Sequence, residues 1–140
     1  MMKDAIITIK GIQVLNDEEE AMELTTEGRY GFKENEILIS YEETEMIGVK
    51  GVKTLMRYKA PNTVIIKRSG TLESRLVIEK GNKNLCRYET GYGELMLDII
   101  GEEIESELGE NGGSFKMSYI IDADNRILSK NRIEITVREV

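Results

Sequence analysis

Gly113-Ser-Phe-Lys-Met-Ser-Tyr-Ile-Ile-Asp-Ala-Asp-Asn-Arg-Ile-Leu-Ser-Lys-Asn-Arg-Ile-Glu-Ile-Thr-Val-Arg138 decides the fold. Phe115, Met117, Tyr119 and Ile121 alternate with Lys116 and Ser118, Asp122-Ala-Asp-Asn125 turns the chain, and Ile133, Ile135 and Val137 alternate with Glu134, Thr136 and Arg138. A period of two on both sides of a turn cluster reads as a β-hairpin. The same grammar recurs upstream. Ala5–Leu15 is a first strand, followed by the acidic connection Asn16–Glu23, in which Asn16 and Glu19 are spaced to cap one helical turn. Leu24 to Phe32 and Ile37 to Glu43 flank the turn Lys33–Glu36. Lys53–Lys59 and Thr63–Arg68 flank Ala60-Pro-Asn62, and Leu72–Glu79 and Leu85–Tyr92 flank Lys80-Gly-Asn-Lys-Asn84.

Gly93–Leu108 is the ambiguous stretch, since Leu95, Met96, Ile99, Ile100 and Ile104 also fit helical spacings. Parity argues for a strand. Leu95, Leu97 and Ile99 share one face while Ile104 and Leu108 have the opposite parity, as a β-bulge at Gly101 would produce. Leu95, Leu97, Ile104 and Leu108 are then all expected to point inward. The count comes to nine or ten strands joined by short loops, and closure into an antiparallel up-and-down barrel is the architecture that removes the sheet edges.

With 140 residues the chain fits a single domain, 1–140, with a real core. Nineteen Lys and Arg against 26 Asp and Glu give a net charge of −7, which disfavours nucleic acid and anionic membranes as partners. No apolar run approaches a membrane span, and one cysteine, Cys86, agrees with a reducing compartment, so a cytoplasmic address is expected.

A family resemblance is carried by Thr26-Glu-Gly28-x-Tyr30, Tyr41-Glu-Glu-Thr44 followed by Gly48, Arg68-x-Gly70, and Tyr88-x-Thr90-x-Tyr92-Gly93-x-Leu95. In these segments the chain resembles the YwiB-like family of small bacterial proteins, a domain of unknown function. The resemblance implies a single calycin, or lipocalin-like, β-barrel and supplies no activity, cofactor or catalytic residue.

Absences bound the chemistry. The sequence has no histidine, and one cysteine cannot build a thiolate zinc site. Gly91-Tyr-Gly93 lacks the third glycine of a dinucleotide fingerprint, Gly48-Val-Lys-Gly51 follows a strand rather than joining the helices of an RNA clamp, and Asp122-x-Asp124 lacks the later ligands of a calcium loop. No cofactor is expected, and the reading is of a protein that is not an enzyme.

The candidate site comes from parity. Glu43 continues the inward row Ile37, Ile39, Tyr41, and Arg68 continues Val64 and Ile66, so each places a charge where only a partner makes burial tolerable. Tyr88, Thr90 and Tyr92 follow Cys86 on another such row, and Tyr119 lies on the row of the final hairpin. Together with Tyr30 these residues form a polar layer, read in one of two ways. Either Arg68 grips the carboxylate or phosphate of a small anionic or amphipathic ligand among the tyrosines, or Arg68 and Glu43 tie strands together in a filled barrel whose outer surface meets a protein partner.

Overall fold

The computed structural model describes residues 2–33, 35–43, 52–70, 73–89, 93–123 and 126–140, with Glu43, Tyr88 and Glu89 described in their backbone alone. Ten strands follow in chain order: β1 (Met2–Leu15), β2 (Glu18–Lys33), β3 (Glu36–Glu43), β4 (Val52–Lys59), β5 (Thr63–Gly70), β6 (Ser74–Glu79), β7 (Lys83–Glu89), β8 (Glu94–Gly109), β9 (Gly112–Ala123) and β10 (Arg126–Glu139). Each pairs antiparallel with the next, and β1 closes on β10 from Ala5 opposite Glu139 to Val14 opposite Lys130. The result is the expected up-and-down barrel, in which every strand has a neighbour on both sides. No helix among the described residues is long and apolar enough to cross a membrane.

Alternation does the sorting. In β4, Val52, Thr54, Met56 and Tyr58 are buried, while the residues between them are half-buried or exposed. The core cluster takes side chains from all ten strands, from Ile7 and Ile9 on β1 to Ile135 and Val137 on β10. Because neighbouring strands run in opposite directions, the even-numbered strands all end at one mouth of the barrel. There Tyr58 of β4 and Phe115 of β9 meet across the lumen with ring centroids 5.1 Å apart. The Tyr30 hydroxyl of β2 donates to the Gly109 carbonyl of β8. These strands are far apart around the wall, so at this mouth side chains fill the lumen.

The bulge in β8 stands where parity put it. Gly101 pairs with Tyr119 but Glu103 pairs with Ser118, leaving one extra residue between them. Leu97, Ile99 and Ile104 are buried on either side of the shift, and Leu108 is half-buried. Leu95 departs from expectation: it keeps the parity of Leu97 but lies at the start of β8 and is 50% exposed. At a strand end parity sets a face, and the wall there does not rise far enough to cover it.

The acidic connection also differs. Asn16 and Asp17 both take positive φ, 51° and 66°, and the chain re-enters the sheet at Glu18. Two left-handed residues match the twist of the flanking strands, and Asn and Asp tolerate that conformation. Glu18–Glu20 therefore extend the ladder opposite Gln13–Leu15, with no helical turn.

Candidate functional site

Register assembles what single-strand parity could only orient. Tyr41 lies opposite Thr54, Thr54 opposite Arg68, Arg68 opposite Ser74, Ser74 opposite Tyr88, and Tyr88 opposite Leu95. Three of the expected site residues thus stand on one cross-strand row, toward the mouth opposite the Tyr58 and Phe115 plug. Tyr41 and Arg68 are half-buried, and Thr54 and Ser74 are buried. Glu43 follows two residues after Tyr41 with its backbone opposite Val52. Tyr119 is buried in the core cluster opposite Gly101, away from this row, and Tyr30 serves the plug. Thr90 and Tyr92, like Gly48–Gly51, lie outside the described residues.

The wall beside Arg68 has a defect. β6 and β7 pair at Ser74 with Tyr88 and Arg75 with Arg87, and there the ladder stops although both strands continue toward their turn. Past that point the Val77 N–H donates to the Cys86 Sγ at 3.3 Å instead of to a carbonyl. Meanwhile Gly101 N–H donates to the Asn82 carbonyl and Gly81 N–H to the Gly101 carbonyl, tying the turn onto β8. The hairpin is held at both ends and open between them.

A cleft of about 480 Å³ occupies this region. Arg68, Ser74 and Cys86 reach it from the inward rows, and Lys67, Arg75 and Arg87 from the outward ones. Val77 and Leu85 add apolar surface, and among the described lining residues Glu73 is the one carboxylate against four cations. Glu94 pairs with Arg87 from β8 at 3.4 Å. Cys86 is 4% exposed, and burial pushes its thiol pKa up, against the lowering by the Val77 amide and by Arg75. It is a small buried residue of the wall rather than a thiolate.

A second concavity, about 240 Å³, lies on the outer face of β2, β1 and β10. Its charges are mixed, Lys10 and Arg132 with Glu23 and Glu134, and Arg132 sits 3.9 Å from Glu134. Such a balanced set selects no ligand charge. Among the described residues no group of three or more Cys, Asp or Glu is placed to hold a metal ion.

The outward cations Lys67, Arg75 and Arg87 are the residues that strand parity missed. Parity sends them outside and says nothing of their neighbours. The signal was the length of the β6–β7 turn: three residues, Lys80–Asn82, fix Arg75 opposite Arg87, whereas a five-residue loop ending at Asn84 does not.

Comparison with known proteins agrees with this architecture. The chain is 29% identical over 121 residues to the uncharacterized beta-barrel protein YwiB of Bacillus subtilis (strain 168), covering 85% of this chain and 83% of that one. The crystal structure of the ywiB protein from Bacillus subtilis superposes with a TM-score of 0.85 at 24% identity, covering 99% of this chain and 93% of the other, which shows the fold. Residues 7–135 match the family described as Domain of unknown function (DUF1934), and the chain belongs to that family.

Proposed function

We propose that this protein is a non-enzymatic binding barrel whose site is the β5–β7 cleft and whose ligand is a small anion gripped by Arg68. The observation that carries the reading is an inversion of charge: among the described residues four cations and one carboxylate line the cleft, with Glu94 paired to Arg87 at its edge, in a chain whose net charge is −7. Like charges directly opposite across a ladder repel, and Lys67, Arg75 and Arg87 stand in that relation. An anion between them relieves the repulsion, and the guanidinium fork suits phosphate and carboxylate oxygens. Catalysis has little support from these side chains. The sequence has no histidine, and among the described residues the cleft holds a buried thiol with a raised pKa and a single carboxylate.

The interaction-module reading draws on Ile127 and Met96, which are 58% and 54% exposed on β10 and β8. Those residues imply no particular partner, whereas the cleft selects a charge, and the ligand reading leads.

Calorimetric titration with inorganic phosphate tests it. Saturable one-to-one binding is expected, weakened about 10- to 100-fold in Arg68→Gln and in Arg75→Gln, as for loss of one charged hydrogen bond. Lys116→Gln, on an exposed position of β9, is expected to change nothing. Failure of the wild-type protein to bind phosphate saturably defeats the proposal, as does equal weakening by Lys116→Gln.

A further inference from the structure

We infer that the ligand of the β5–β7 cleft is amphipathic: a phosphate or carboxylate head on the cationic row, joined to a short apolar portion that lies on Val77 and Leu85. This deepens the anionic-ligand reading and rests on it. The geometry comes from two adjacent levels of the same wall. At one level Lys67, Arg75 and Arg87 stand side by side on β5, β6 and β7. At the next level toward the β6–β7 turn, two residues along each strand, the side chains are all apolar: Ile65 opposite Val77 on β5 and β6, and Leu85 on β7. Charge and apolar surface are thus about 7 Å apart along the strands.

The open ladder makes this array a site rather than a flat pattern. Because β6 and β7 separate beyond Arg75 and Arg87, Val77 and Leu85 flank a gap and line the same cleft as the cations. Leu85 is 65% exposed there, apolar area that a ligand chain would remove from water. The Val77 amide already donates to Cys86 Sγ, and the Val77 and Leu85 side chains that flank the gap are apolar, so the gap offers apolar contact. The occupant is a freely dissolved amphiphile rather than a lipid in a bilayer, because the net charge of −7 opposes approach to an anionic surface.

The experiment is a titration of the whole protein with inorganic phosphate and with ethyl, butyl and hexyl phosphate. Affinity is expected to rise about twofold to fourfold per methylene. In Leu85→Ser, a substitution at an exposed position, the rise with chain length is expected to flatten. Arg75→Gln is expected to weaken the whole series by a similar factor. Affinity independent of chain length, with phosphate still bound, overturns this inference and leaves the anionic site standing. A rise that persists undiminished in Leu85→Ser also overturns it. Sedimentation with phosphatidic acid vesicles is expected to leave the protein in solution; co-sedimentation without binding of hexyl phosphate overturns the soluble source. Absence of phosphate binding altogether defeats the underlying reading.

Discussion

Tyr30 shows what a single polar atom does in a filled barrel. The side chain is 1% exposed, its hydroxyl donates to the Gly109 carbonyl across the lumen, and burial pushes its pKa up to about 12. The sign of the linkage follows. Below about pH 10 the phenol is neutral in both folded and unfolded chains; above it the unfolded chain gives up its proton while the folded one holds on until about pH 12. Stability is therefore complete below pH 10 and lost between 10 and 12, by about 2–3 kcal/mol from this residue alone. Tyr58, also raised by burial, adds in the same direction. Tyr30→Phe is expected to lower stability at pH 8 by about 1–2 kcal/mol, since it strands the Gly109 carbonyl, and to flatten the alkaline decline. Urea midpoints at pH 8 and 11.5 for both proteins measure this, and an equally steep decline in the variant counts against the buried phenol.

Elements differ in how much of them the sequence reveals, and β8 and the β6–β7 hairpin mark the extremes. The bulge in β8 was legible because a parity change leaves a trace in one strand: Leu97 and Ile99 on one side of Gly101, Ile104 on the other. The Asn16–Asp17 turn was misread because the following glutamates resemble a capped helical turn until their ladder partners on β1 are known. For the proposed site, inward parity picked out Arg68, Tyr41 and Tyr88, and only cross-strand register put them on one row. The cationic row beside it stayed hidden, since it exists only between strands. The role of Gly101 is another relation between strands: a Cβ there would collide with the Glu79 carbonyl, where the β6–β7 turn docks on β8. Gly101→Ala is accordingly expected to cost about 2–4 kcal/mol, because backbone rather than a flexible side chain must move. Gly81 offers the contrast, with φ +80° and nothing within 4 Å of an added Cβ, so Gly81→Ala should cost only about 1–2 kcal/mol of conformational strain. Denaturant midpoints of the two variants test the ranking, and a reversed order refutes the docking of the turn on β8.

At the scale of the whole molecule the barrel is asymmetric along its axis, and under the proposed function the asymmetry divides stability from binding. One mouth is plugged: Tyr58 and Phe115 meet at an interplanar angle of 56°, and the Tyr58 hydroxyl donates to the Pro61 carbonyl at 3.1 Å. Polar groups concentrate toward the other mouth, where Thr54 and Ser74 are buried beside Arg68, and from the Arg75–Arg87 pair toward the β6–β7 turn the wall opens between β6 and β7. A closed antiparallel wall needs something to stop it flattening or shearing, and rings that touch across the lumen provide it independently of the ladder. If they do so, replacing either ring removes the same strut. Tyr58→Leu and Phe115→Leu should each cost about 2–4 kcal/mol, and the double variant should cost less than the two together by about 0.5–1.5 kcal/mol, the coupling of one aromatic pair. Phosphate binding at the distant cleft should survive in all three proteins while they remain folded, because the plug and the cleft share no side chain. Additive costs in the cycle mean that the rings support their own strands separately; loss of binding in a folded single variant means that the two mouths are one mechanical unit.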